Sequence, residues 1–181
     1  MKKLALLCFI CFSTALASAQ RKYNAAYVEG GGNALYYSIN YDRVIPLSQN
    51  LSIAPRVGFA FLPWIENSSR NFGSIRIPTE LNVLWSKDRL SSNFVEVGIG
   101  MSFIQLRQNV TYLETGATGN RNTLGKVTLA RLGYRYQKPE GGLMFRAGVL
   151  VPVAEDKYSR QRFGDDIFYR VWAGIGLGYS F

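Results

Sequence analysis

The chain has 181 residues, 21 Lys and Arg against 12 Asp and Glu, a formal charge of +9 and no histidine. That length suits one domain, and the missing histidine removes the commonest general base and a frequent metal ligand. The basic residues are dispersed singly, unlike the runs that track nucleic-acid phosphates, so no nucleic acid is expected as a partner.

Residues 1–19 read as an export signal. Lys2 and Lys3 form a basic head, an uncharged run extends from Leu4 to Ala15, and Ala17-Ser18-Ala19 places small residues where a signal peptidase cuts, before Gln20. Residues 20–181 then form the folded domain, still with an excess of positive charge. Cys8 and Cys11 both lie in the signal, so no thiol or disulfide is expected after processing. No later segment approaches the ~18 consecutive apolar residues of a membrane helix.

Beyond the signal the chain is a succession of segments with period two. The stretch from Tyr23 to Gly30 is the first candidate strand, with Glu29 on its inner face. Next come Leu35, Tyr37, Ile39 and Tyr41, apolar or aromatic at every odd position, opposite Ser38, Asn40 and Asp42. Glu29 and Leu35 share a parity but not a character, so the phase must break within Gly30-Gly31-Gly32-Asn33. A tight hairpin there makes two strands, whereas a glycine bulge makes one long strand; the hairpin is the preferred reading. These glycines lack the Lys-Ser/Thr of a phosphate-binding loop and open no helix.

Leu51, Ile53, Pro55, Val57, Phe59 and Phe61 then face away from Ser52, Arg56 and Gly58, and Ile75 to Trp85 alternate against Arg76, Glu80 and Asn82. Val95 to Phe103 alternate against Glu96, Gly98, Gly100 and Ser102. Thr128 to Tyr136 alternate against Arg131, Gly133 and Arg135, and Leu143 to Val153 against Arg146 and Gly148. The last segment, Ile167 to Phe181, alternates against Arg170 and three glycines. Connections alternate between short (residues 46–50, 86–92 and 138–141) and long (62–73, 105–125 and 154–166), apart from a very short first outer loop at residues 31–33.

The fold expected is all-β: an eight-stranded antiparallel up-and-down transmembrane β-barrel. A soluble barrel would carry the same alternation with its greasy face inward. The membrane version is preferred because aromatics cluster at both ends of the greasy face: Tyr41, Trp85, Tyr134, Tyr136 and Tyr179 at one, Tyr37, Phe59, Phe61, Phe103 and Tyr169 at the other. The opposite face mixes glycine with both signs of charge.

Gly176-Leu177-Gly178-Tyr179-Ser180-Phe181 resembles the C-terminal signal of outer-membrane barrels, with Gly178, Tyr179 and Phe181 as its carriers. Ser38-Ile39-Asn40-Tyr41-Asp42-Arg43, Ile77-Pro78-Thr79-Glu80-Leu81-Asn82 and Phe94 to Gly100 likewise resemble the small outer-membrane β-barrel family, described as porin-like or outer-membrane-protein-A/X-like. The resemblance implies a Gram-negative outer-membrane address, outer-membrane lipids and lipopolysaccharide as surroundings, and the barrel assembly machinery as a partner during insertion.

Parity assigns Glu29, Asp42, Glu80, Glu96, Arg56, Arg76, Arg131, Arg135, Arg146 and Arg170 to the lumen, where an eight-stranded barrel leaves just enough room for side chains. A salt-bridged plug is the expected use of these charges, with a conducting path or ligand cleft as the alternative. No catalytic residue, cofactor or metal is expected. The carboxylates of Glu155-Asp156 and Asp165-Asp166 read as solvated loop charges, with weak Ca²⁺ or lipopolysaccharide-associated contact as the other reading. Asn109-Val110-Thr111 matches a glycosylation pattern that carries little weight in a bacterial chain. Candidate loop contacts are Tyr112, Tyr158, Arg160 and Arg162, aromatics and arginines able to anchor a partner or to meet the barrel rim or lipopolysaccharide headgroups. The function expected is a non-enzymatic surface barrel, structural or partner-binding through its outer loops; the alternatives are a small pore or an accessory subunit of an envelope secretion machine.

Overall fold

The computed structural model describes residues 22–65, 72–111, 118–155 and 171–181. Its spanning strands are β1 (Asn24–Gly31), β2 (Tyr37–Arg43, prolonged by Ile45–Pro46), β3 (Leu51–Ile65), β4 (Phe72–Trp85), β5 (Asn93–Thr111), β6 (Thr118–Gln137), β7 (Gly142–Glu155) and β8 (Trp172–Ser180). Each pairs antiparallel with its neighbour in sequence, and β1 pairs with β8, so the sheet closes into an eight-stranded up-and-down barrel. Closure leaves no free sheet edge along the paired length, which a strand in lipid cannot tolerate. The expected residues 1–19 signal lies outside the described residues.

The alternation read from sequence is realised as two faces. Ile39, Leu132, Ile175, Leu177 and Val97 are more than half exposed on the outside, while Glu29, Asp42, Arg135 and Arg146 have no exposed surface on the inside. At the rim carrying both ends of the described chain, turns of residues 47–50, 86–92 and 138–141 join the strands, as the short connections require. Gly141 and Gly142 take positive φ there, at 91° and 107°, a region that glycine enters without steric cost. Tyr41, Trp85, Tyr134 and Tyr179 are exposed near this rim and Phe59 and Phe61 further from it; Tyr37, expected with the latter, is exposed but lies part-way up the wall, where β2 ends. Tyr136 and Phe103 are only half-exposed, and Tyr169 lies outside the described residues.

Two expectations are corrected. The strands bordering the long connections run further than the apolar alternation: β3 reaches Ile65, and β5 and β6 pair as far as Thr111↔Thr118. Above the bilayer a ribbon needs paired backbone but no greasy face, so the pattern fades before the pairing does. Leu35 is not an outward residue of β2. It sits in a turn at φ 74°, as the cap of a 3-10 turn spanning Gly32–Ala34.

That turn is the distinguishing feature of the fold. The hairpin reading holds, for β1 and β2 pair through Gly30↔Tyr37, but the connection is no outer loop: Gly32, Asn33 and Ala34 are all buried inside the barrel. Its direction follows from strand length. Tyr41 and Tyr179 both pair with Ala26, near the short-turn rim, and β2 ends at Tyr37, which at ~2.5 Å of height per tilted residue is about 10 Å further from that rim, less than half of a ~25 Å apolar band. A turn at that depth cannot present bare peptide groups to lipid; irregular backbone is tolerated there only when protein encloses it.

Candidate functional site

The lumen fills in layers. Nearest the short turns, Val44, Ala54, Leu84 and Phe94 form an apolar floor with Tyr23 packed against it. Above the floor, Arg135 grips Asp42 with two hydrogen bonds, Nη1 to Oδ2 at 2.8 Å and Nη2 to Oδ1 at 2.6 Å. Gln137 Oε1 accepts two more from the same guanidinium. This fork-to-fork geometry is the one that planar guanidinium and carboxylate groups favour.

At mid-height a second cluster joins residues far apart in the chain. Arg56 donates to Glu29 and, at 2.6 Å, to Glu80. Arg131 lies 2.7 Å from Glu29 and from Glu80. Arg146 reaches Glu96 and lies 3.3 Å from Glu80. The Tyr27 hydroxyl accepts from Arg146 at 2.5 Å, and its ring centroid lies 5.5 Å from the guanidinium carbons of both Arg56 and Arg146, within cation–π range. Asn40 Oδ1 accepts from Arg56 Nε at 3.1 Å and Nη2 at 2.7 Å. All of these ion-paired side chains are essentially unexposed, and the three guanidiniums balance the three carboxylates.

Glycine makes room for the arginine arms. Gly133, Gly148, Gly174 and Gly31 pair in one row across β6, β7, β8 and β1. A Cβ on Gly148 would come 3.3 Å from Arg131 Nη1, and one on Gly176 2.9 Å from Arg146 Cγ. Both carboxamide atoms of Asn82 are buried without a hydrogen-bond partner in the protein, a polar spot suited to enclosed water.

The inward turn covers this cluster. Ser102 Oγ donates to the Asn33 carbonyl, Arg76 Nη1 to the Ala34 carbonyl at 2.6 Å, and Trp172 Nε1 to the Gly32 carbonyl at 2.9 Å. Asn33 Nδ2 donates to Glu80 at 3.4 Å, tying the turn to the charges beneath. Ile104, Val127, Leu129 and Leu150, with Trp172 against them, form an apolar cluster on the inner wall of β5 to β7.

The structure thus brings Glu29, Glu80, Glu96, Arg56, Arg131 and Arg146 together, sets Asp42 and Arg135 apart as a pair, and directs Arg76 to the turn, where it also lies 5.1 Å from the Tyr36 ring. Arg170, Tyr112, Tyr158, Arg160 and Arg162 lie outside the described residues. Tyr179 and Phe181 are exposed, Gly178 is half-buried, and the Phe181 backbone exchanges hydrogen bonds with Asn24. Sequence reasoning missed Tyr27, Asn33, Asn40 and Gln137. For Tyr27, Asn40 and Gln137, inward parity beside charged neighbours was the available signal; Asn33, in the turn where the phase breaks, offered none. Chemically, carboxylates each held by guanidiniums offer little to a metal ion, and among the described residues no cluster of metal-ligating side chains occurs.

No family model and no curated protein matches this sequence. Among solved structures, the N-terminal β-barrel domain of Pseudomonas aeruginosa OprF aligns at a TM-score of 0.50 and 12% identity, over 90% of this chain and 98% of that one. Acinetobacter baumannii CarO aligns at 0.46 and 12%, over 91% and 98%. Identity this low speaks to fold, and with the closure described above it shows that this chain shares the eight-stranded up-and-down architecture of the OprF barrel domain.

Proposed function

We propose that this protein is a non-enzymatic barrel of the bacterial outer membrane whose lumen is closed by its own side chains and which acts structurally or by binding a partner at its outer rim. The supporting observation is the pairing of an apolar exterior with an interior stopped at mid-height by neutralised charges and an inward turn. The strand extensions of β5 and β6 through Thr111 and Thr118 supply a paired ribbon beyond the apolar band. A rigid barrel displaying such a ribbon needs no chemistry of its own.

Planar-bilayer recording tests the closed lumen. The purified protein is expected to show no steady unitary current, because on this reading the ion-paired side chains of Arg56, Arg131 and Arg146 stand across the lumen. A stable ohmic step in every insertion would overturn the reading in favour of a small pore. Removal of residues 108–121, with the barrel retained, is expected to abolish co-purification of any rim partner.

A further inference from the structure

Two strand ends on one wall place a lysine just beyond an outward aromatic. At the end of β4, Trp85 and Lys87 are exposed and Ser86 between them is buried; at the end of β6, Tyr136 is half-exposed, Gln137 buried and Lys138 exposed. The ladder runs with them, for Ser86 N donates to the Asn50 carbonyl at 2.9 Å and Gln137 N to the Ser92 carbonyl at 2.8 Å. Each lysine is two residues nearer the rim than its aromatic, which at ~2.5 Å of height per tilted residue is about 5 Å. β5 lies between the two strands: Trp85 pairs with Val95 and Val95 with Tyr134, and one outward step nearer the short turns Asn93 pairs with Tyr136. Exposed Asn93 accepts at Oδ1 from the Tyr134 hydroxyl, so its carboxamide nitrogen remains a donor. The carboxylates of these turns do not neutralise the lysines. Asp88 Oδ1 accepts from the Leu90 backbone N–H at 2.9 Å, and among the described residues no carboxylate lies within ion-pair distance of Lys87 or Lys138. Arg43 also follows an aromatic, Tyr41, by two residues, but exposed Ile45 comes next on that face towards the rim, and Arg89 lies within the turn of residues 86–92.

We propose that the wall at Lys87, Asn93 and Lys138 binds the phosphate of one anionic phospholipid, with Trp85 and Tyr136 against its glycerol esters and its acyl chains along Val83 and Val95. Trp and Tyr settle at the boundary between acyl chains and headgroups, so cations a further step towards the rim stand at the depth of the phosphates. β4 and β6 are two strand spacings apart, about 10 Å, a span that two extended lysine side chains close on a single phosphate, with the Asn93 amide between them to donate a hydrogen bond. Phosphatidylethanolamine brings its own ammonium group to its phosphate, whereas phosphatidylglycerol leaves the charge uncompensated, so the site favours the second. The assignment rests on the reading of the chain as a membrane barrel.

Native mass spectrometry of the detergent-extracted protein, incubated below saturation with phosphatidylglycerol or with phosphatidylethanolamine, tests it. The wild type is expected to retain one phosphatidylglycerol more strongly than any phosphatidylethanolamine. Lys87→Gln and Lys138→Gln are each expected to lower that adduct about fivefold, and both together by more than about tenfold, since one basic residue at an anionic lipid surface supplies about the former factor. Arg43→Gln and Arg89→Gln, equal losses of charge outside the patch, are expected to leave it unchanged. The same loss in all four single variants would mean diffuse attraction to a basic rim and would overturn the site. So would equal retention of the two lipids, or an adduct that no variant alters. Heat-dependent gel migration of every sample keeps the tests separate: if the wild type shows none, the membrane-barrel reading fails; if every sample shows it and the adduct is indifferent to Lys87 and Lys138, only the patch assignment fails.

Discussion

Glu80→Ala is expected to lower the stability of the folded barrel by about 3 to 5 kcal/mol, the cost of leaving buried charge uncompensated. Glu80 lies within ion-pair distance of Arg56, Arg131 and Arg146 and also accepts from Asn33 of the inward turn. Removing its carboxylate leaves three guanidiniums facing Glu29 and Glu96 alone. Glu96→Ala is expected to cost less, since among the described residues Glu96 forms an ion pair with Arg146 alone. The urea midpoint of unfolding from lipid vesicles, followed by gel migration, reads both. Joint replacement Glu96→Leu with Arg146→Met is expected to recover much of the single-variant loss, because a buried pair exchanged for apolar groups is often nearly neutral. Midpoints for Glu80→Ala and Glu96→Ala equal to wild type would mean that the cluster contributes nothing to holding the barrel.

Gly174→Val is expected to destabilise by about 3 kcal/mol or more, at the upper end of overpacking, and to dislodge the inward turn. A Cβ at this position would come 2.8 Å from Gly32 Cα, 2.9 Å from Gly32 N and 3.2 Å from Glu29 Oε1. Two of those three atoms are backbone, so no side-chain rotation relieves the clash. Either β8 parts from β1 or the turn leaves its seat, losing the Trp172 bond to the Gly32 carbonyl. Trp172 emission then shifts and intermittent conductance appears in bilayers. Gly30→Ala is the matched control, because a Cβ there meets nothing within 4 Å. Equal midpoints and silent bilayers for both glycine variants would show that the row from Gly133 to Gly31 is not what seats the turn.

The wall was legible in the sequence because lipid and a packed lumen impose opposite demands on successive residues. Glu96, Gly98, Gly100 and Ser102 against Val97, Ile99 and Met101 admit one orientation once the outside is lipid, and the parity of every carboxylate assigned to the lumen follows from it. Partner identity was not legible. Glu29 and Arg131 are 102 positions apart and meet only because of the stagger of the closed barrel, which no single strand encodes. The apolar lumen residues escaped for another reason: Ile104, Leu129 and Leu150 stand on the inward parity beside outward Phe103, Ala130, Val149 and Val151, so both faces look greasy there, and Val127 lies between Lys126 and Thr128, where the outward face is itself polar. The inward turn was signalled by length: even the six steps from Tyr41 to Leu35, about 15 Å at ~2.5 Å each, fall short of a ~25 Å apolar band.

In a membrane-embedded barrel Leu177 and Val97 must touch acyl chains while Ser102 does not. With Cys8 and Cys11 expected to leave with the signal, single cysteines at positions 177, 97 and 102 can carry one fluorophore each. In vesicles containing brominated acyl chains, strong quenching is predicted at positions 177 and 97 and little at 102, with aqueous iodide without effect on the first two. A water-soluble, lipid-free protein whose labels at 177 and 97 are shielded from both quenchers would contradict the assignment of these faces.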